Sequence, residues 1–158
     1  MKMKAIVYRG GVLRFRIPAS WKEEYSDVDG GTFYEDVPHS GTLRVKVITL
    51  EISAESGGVS LPKVLEPLPQ HLEKSQEDVQ YVGENALVRY DEPSVEKGTR
   101  LRIFYWVLAN PVHPRNARVV TFSYTVLDSQ TNRAQLQPEL DMLNAEILRT
   151  EFAPPRDV

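Results

Sequence analysis

Arg100-Leu101-Arg102-Ile103-Phe104-Tyr105-Trp106-Val107-Leu108, then Ala109-Asn110-Pro111-Val112-His113-Pro114-Arg115-Asn116, then Ala117-Arg118-Val119-Val120-Thr121-Phe122-Ser123-Tyr124-Thr125-Val126-Leu127: this stretch decides the fold. β-Branched and aromatic residues dominate its two ends, and two prolines punctuate the middle. That pattern predicts two strands joined by a loop over 109–116. Side chains alternate along a strand, so Leu101, Ile103, Tyr105 and Val107 point one way. Phe104, Trp106 and Leu108 point the other. Both sets are apolar, which places the pair at the centre of a sheet covered on both sides.

Working outward, Lys4 to Tyr8 reads as an edge strand, with a turn at Gly10-Gly11. In the next strand Leu13, Phe15 and Ile17 alternate inward against Arg14 and Arg16 outward, and Pro18 stops it. Ser20-Trp21-Lys22-Glu23 fits a capping box, which predicts a short helical turn over 21–25, with Trp21 closing the end of the core. A strand over 32–35, turn residues over 36–41 and a strand over 42–52 follow. In the last of these, Leu43, Val45 and Val47 point inward and Arg44 and Lys46 outward. Val47-Ile48 then breaks phase, which predicts a bulge or cover on both faces.

Leu61, Val64, Leu65, Leu68 and Leu72 form a helical stripe, broken or kinked by Pro67 and Pro69. The runs 79–82 and 86–90 flank Gly83-Glu84-Asn85 as two strands or one bulged strand, and 91–99 reads as a connection. Pro138 suits the first turn of a final helix with Leu136, Leu140, Leu143 and Ile147 on one face, and Pro154-Pro155 ends it. The fold class is therefore α+β. A mostly antiparallel sheet is flanked by helices on both faces, an α/β/α sandwich forming a single domain over 1–158.

At 158 residues the chain is long enough to bury a core, and 41% hydrophobic with 26% charged residues is an ordinary globular balance. A net charge of -3 argues against a nucleic-acid partner. With Cys 0, disulfides, thiolate metal sites and a cysteine nucleophile are excluded. No apolar run approaches the ~18 residues of a membrane span, nor does the N-terminus carry a secretory h-region. The expectation is a cytoplasmic protein with no membrane span.

Chemistry-bearing residues are scattered. His39, His71 and His113 lack metal-ligand spacing and read as loop histidines, so no metal and no cofactor is expected. His39-Ser40-Gly41 is turn chemistry, and no G-x-S-x-G elbow occurs. Gly10-Gly11, Gly30-Gly31 and Gly57-Gly58 lack phosphate-cradle spacing. Glu23-Glu24, Asp91-Glu92 and the Asp27/Asp29 pair read as solvated carboxylates. Phe104, Tyr105, Trp106, Phe122 and Tyr124 read as core, with a ligand pocket as the other use of so many aromatics.

Three stretches carry a family likeness. Phe15-Arg16-Ile17-Pro18-Ala19-Ser20-Trp21, then Gly30-Gly31-Thr32-Phe33-Tyr34, then the closing helix with Leu140, Leu143, Ile147 and Phe152 resemble the PsbP-like superfamily. It includes the photosystem II subunit PsbP, the Ran-binding import factor Mog and bacterial chaperones of type VI secretion effectors. The resemblance implies an antiparallel sheet between helices and a non-enzymatic binding role.

The expected function is a protein-binding module, such as a bacterial adaptor or secretion-effector chaperone. A small-ligand carrier using a cleft between sheet and helix is the alternative, and an unrecognised hydrolase comes third. Alternation puts Arg14 and Arg16 on one outward face, and Arg44 and Lys46 on another. If those strands share a sheet, the four cations make a basic strip for an acidic protein partner. Oligomeric state is not encoded in any of these patterns.

Overall fold

The two apolar runs form β8 (Thr99–His113) and β9 (Asn116–Leu127), hydrogen-bonded side by side and antiparallel. In the computed structural model, the described residues are 1–28, 30–51, 79–113 and 116–153. The other elements are β1 (Met3–Tyr8), β2 (Leu13–Pro18), β3 (Lys22–Ser26), β4 (Gly30–Tyr34), β5 (Thr42–Glu51), β6 (Gln80–Val82), β7 (Asn85–Glu96), α1 (Leu136–Leu148) and β10 (Glu151–Phe152). They build a seven-stranded sheet of order β3-β4-β5-β9-β8-β7-β6 and a three-stranded sheet of order β1-β2-β10. Each paired neighbour is antiparallel.

The small sheet and α1 form one layer over the inner face of the large sheet. Alternation selects what enters the core between them. From the large sheet come Phe33, Leu43, Val45, Trp106, Leu108, Val120, Phe122, Tyr124 and Val126. Ile6, Tyr8, Leu13, Phe15 and Ile17 meet them from the small sheet, and Leu136, Leu143 and Ile147 from α1. Phe15 stands edge-on to both Phe33 and Phe122, at 5.5 and 5.2 Å between ring centroids. On the outer face, Ala86, Val88, Val107, Ala109, Ala117 and Val119 are buried as a second, smaller cluster.

Several expectations change. The class is α+β and mostly antiparallel, but helices do not cover both faces. Among the described residues α1 is the one α-helix, and the small sheet shares its layer. The predicted helical stripe over 61–72 lies outside the described residues. Residues 21–25 do not form a helical turn. Lys22–Ser26 pairs with Gly30–Tyr34 instead, and Glu23 binds the Lys4 ammonium at 2.8 Å rather than capping a helix. Pairing to a neighbour overrode local propensity.

β5 keeps one register with β9 from Thr42 to Glu51, with no bulge at Val47-Ile48. Ile48 follows Lys46 on the outer face and is 54% exposed. β8 runs through Pro111 to His113, with its register shift there, and β9 starts at Asn116, so 109–113 and 116, expected as loop, are strand.

Residues 91–99 belong to a long hairpin, not an irregular connection. Lys97 and Gly98 both hold positive φ, at 50° and 80°, which a two-residue turn matched to strand twist requires. Pro93 fits because β6 covers only Asn85 to Leu87 of the far edge of β7.

Arg118 fastens the layers. It is 8% exposed, and its Nη1 donates to the carbonyls of Ala153 at 2.9 Å and Val12 at 3.3 Å. Burial pushes its pKa below the ordinary guanidinium value. Leu143 sits at the other end of the same layer, fully buried against the sheet. Leu143→Ala is expected to lower unfolding free energy by about 2–5 kcal/mol, the range for truncating a buried leucine. Urea titration of both proteins measures it, and an unchanged midpoint would show that α1 does not hold the layer in place.

Candidate functional site

The outer face of the large sheet is written in rows, because residues paired across strands stand side by side. One row runs Tyr90, Tyr105, Ser123, Arg44, Thr32, Glu24. The next runs Glu92, Ile103, Thr125, Thr42, Tyr34, Lys22. On the other side of the first lies Val88, Val107, Thr121, Lys46.

Along β9 the outward side chains are therefore Thr121, Ser123 and Thr125, short and hydroxylated. Ser123 stands between Tyr105 on β8 and Arg44 on β5, Thr125 between Ile103 and Thr42, and Thr121 between the buried Val107 and Lys46. The result is a trough with a hydroxyl floor, an aromatic and aliphatic wall and a cationic wall. Floor and walls are solvent-reached: Lys46 is exposed, and Thr121, Ser123, Thr125, Arg44, Ile103 and Tyr105 are half-buried. Arg44 and Lys46 form no ion pair among the described residues.

Tyr90 and Tyr105 stack at 4.6 Å between centroids and 20° between planes, which stiffens the apolar wall. Burial, then the neighbouring Tyr105 and Glu92, push the Tyr90 phenol up to about 12. Burial raises Tyr105 as well, followed by Glu92.

The four cations expected to form one strip lie on two sheets. Arg14 and Arg16 are on β2 of the small sheet, and Arg44 and Lys46 on β5 of the large one. Leu13, Phe15 and Ile17 face Leu43 and Val45 through the core, so the two pairs point away from each other. Arg16 is also engaged: its Nε and Nη2 donate to Glu146 at 3.1 and 2.9 Å. That bidentate contact, then the carboxylate charge, raises the Arg16 pKa. Only Arg44 and Lys46 share the trough. The sequence hid the rest of the site, since threonine and serine on a strand read as ordinary outward positions until β8 and β5 are known to flank β9.

Two grooves border α1 on the inner side. One, of about 360 Å³, lies between the helix and β7–β8 and is lined by Gln80, Arg89, Asp91, Phe104, Trp106 and Gln137 among others. The Arg89 guanidinium stands 5.7 Å from the Trp106 ring centroid, the indole N–H donates to Asn144 Oδ1 at 3.2 Å, and Arg102 pairs with Asp91. The other, of about 410 Å³, is lined by Pro18, Trp21, Pro138 and Met142. Beneath it Trp21 stacks on Tyr124, whose hydroxyl donates to Glu139 at 2.7 Å, and Arg133 holds the same carboxylate at 2.8 Å. Trp106, Phe122 and Tyr124 are core, Trp106 and the partly buried Phe104 also border the first groove, and the Tyr105 ring stands on the outer face. His39 lies exposed in the β4–β5 turn.

Over 97% of its length the chain superposes on the crystal structure of LpqN from Mycobacterium tuberculosis, covering 91% of that chain, with a TM-score of 0.65 and 15% sequence identity. The chain shares its fold with LpqN. LpqN is involved in cell envelope biogenesis, and at this identity only the fold carries across. A crystal structure from Bacteroides thetaiotaomicron matches with a TM-score of 0.60 and 17% identity, over 97% of this chain and 49% of that one. The solution structure of cyanobacterial PsbP from Synechocystis aligns over 96% of this chain and 92% of that one, at a TM-score of 0.44 and 9% identity. That alignment is looser than the LpqN one, and no PsbP property is transferred on it. No protein-family model and no curated protein matches the sequence.

The raised Tyr90 value has a checkable consequence. A phenol kept protonated in the fold above its ordinary 10.0 contributes stability that is complete below pH 10.0 and lost as pH rises toward about 12. In alkaline titration followed by phenolate absorbance, Tyr90→Phe should delete a component with its midpoint near 12. Deletion of a component at the ordinary value would mean that the Tyr90–Tyr105 wall is open to solvent.

Proposed function

We propose that this chain is a non-enzymatic protein-binding module, an adaptor or chaperone that receives an acidic segment of another protein on the outer face of its large sheet. The observation that supports this is the pairing of Arg44 and Lys46 on one wall of a solvent-reached trough. Their immediate cross-strand neighbours on β9 and β4 are hydroxyls, Ser123 and Thr32 beside Arg44 and Thr121 beside Lys46, while the carboxylates of the same face, Glu24 and Glu92, stand on strands further out. On a chain of net charge -3, two such cations on one strand make a local field of opposite sign to the whole. Such a field accelerates encounter with an acidic partner and favours one docking orientation.

A second reading is favoured by the groove beside α1. Its 360 Å³ suits a small organic molecule, with Phe104 and Trp106 for its apolar part and Arg89 for an anionic one. Native mass spectrometry of protein purified from its own source is expected to show the bare chain mass. A retained small molecule lost in Phe104→Ala would favour this reading over docking.

The docking reading is tested on a partner captured from native lysate and then purified. Arg44→Glu with Lys46→Glu should slow association and flatten its dependence on salt, because screened charges act mainly on the encounter rate. Arg14→Glu, on the opposite surface, should leave both unchanged. Equal rates and salt slopes for the double variant and the parent would remove the trough from the account.

A further inference from the structure

Where the turn after β1 meets the end of β3, a cavity of about 550 Å³ opens. Tyr8, Arg9, Tyr25, Ser26, Asp27 and Gly30 line it. Tyr25 packs edge-on to the core residue Phe33, at 5.9 Å between ring centroids, which puts the cavity on the inner side of the large sheet. The trough is on the outer side, so the two are separate.

Tyr8 is 3% exposed, and its hydroxyl has no hydrogen-bond partner among the described residues. Buried hydroxyls nearly always have one, because burial without it forfeits the bond that water would have made. The hydroxyl lies at the Gly30 wall of the cavity. A Cβ on Gly30 would come within 2.9 Å of it and within 2.3 Å of the Val45 carbonyl oxygen. Gly30 also holds a φ of 73°, so glycine keeps this wall bare on both counts.

Two opposite charges frame the same space. The Arg9 guanidinium stands 5.6 Å from the Tyr8 ring centroid. Asp27 is exposed directly after β3. Neither forms an ion pair among the described residues, with the other or with any third group. Charges that line one cavity without closing on each other leave room between them for a ligand that carries both signs. Arg9 can take a carboxylate through two parallel N–H donors, and Asp27 can take an ammonium. The Tyr25 ring, 56% exposed, offers apolar carbon beside them.

We infer that this cavity binds a small zwitterion, a free amino acid or a very short peptide. Its carboxylate lies on Arg9, its ammonium on Asp27, and a polar atom between them meets the Tyr8 hydroxyl. That hydroxyl is covered in the free protein, and the exposed Arg9 and Tyr25 side chains are the groups that shift to admit the ligand. Binding through so few contacts is reversible, so purification leaves the chain bare.

Calorimetric titration of the full chain tests this with leucine, leucyl-leucine, N-acetyl-leucyl-leucine and leucyl-leucine amide. Leucine or the free dipeptide should bind, and whichever is tighter tells amino acids from peptides as the source. Blocking either end of the dipeptide should weaken it about tenfold, as loss of a charge-assisted hydrogen bond does. Arg9→Ala should weaken the free dipeptide by a similar factor and leave the amide unchanged. Asp27→Asn should weaken the free dipeptide and leave the acetylated one unchanged. Tyr8→Phe should bind severalfold more weakly while melting no lower than the parent, since it removes a hydroxyl that nothing in the fold pairs. Arg44→Glu with Lys46→Glu should bind as the parent does, so this site is judged apart from the docking face.

A blocked dipeptide that binds as well as the free one would overturn the inference. So would silence of both zwitterions up to about 10 mM, whether or not a neutral polyol such as sorbitol binds in their place. A Tyr8→Phe protein that melts lower with unchanged affinity would assign the hydroxyl to the fold and overturn its place in the site.

Discussion

Everything in this structure hangs on β9 and its two-residue period. It is hydrogen-bonded to β5 along one edge and β8 along the other, so it has no freedom to shift. Val120, Phe122, Tyr124 and Val126 enter the core, while Thr121, Ser123 and Thr125 face outward. A slip by one residue would put three hydroxyls into the core and four large apolar groups into solvent. That penalty fixes the register of the strands on either side, and through them the rows on the outer face.

The same constraint explains why parts of the fold were legible. Where one face of a strand is apolar and the other polar, the sequence shows it directly, as at Leu13-Arg14-Phe15-Arg16-Ile17. The facing sets on β8 were also correct, since Trp106 and Leu108 are in the main core and Val107 is in the second. What failed was local. Ser20 to Glu23 has the letters of a helix start, but β4 offered a strand edge and took the segment. Lys97-Gly98 lacks the asparagine or aspartate that signals a tight hairpin, and so the turn passed as a connection.

The candidate site was half legible for a different reason. Alternation assigned Arg44 and Lys46 to an outward face, and they are there. It could not say which strands would be neighbours, and that decides whether cations converge. β1 and β2 leave the large sheet and pair with each other and β10, so Arg14 and Arg16 end on the opposite surface. The inner layer is then tied by polar contacts of long sequence separation: Arg16 to Glu146, Trp106 to Asn144, Arg118 to Val12 and Ala153. No periodicity within a single element encodes such contacts.

Gly41 shows how closely that inner layer is filled. A Cβ there would lie 2.2 Å from Cζ of Tyr124, which is itself stacked on Trp21, so the position admits no side chain unless the aromatic pair moves. On the outer side of β9, Ala117 and Val119 are also buried, while Thr121, Ser123 and Thr125 are only half-buried. One strand thus carries two independent texts, read from opposite sides. The inner text is bound to the core, whereas at Thr121, Ser123 and Thr125 the outer one is constrained by cross-strand pairing on β5 and β8. Under the proposed docking role, variation along Thr121, Ser123 and Thr125 would change what the scaffold receives without touching the inner set that holds it together.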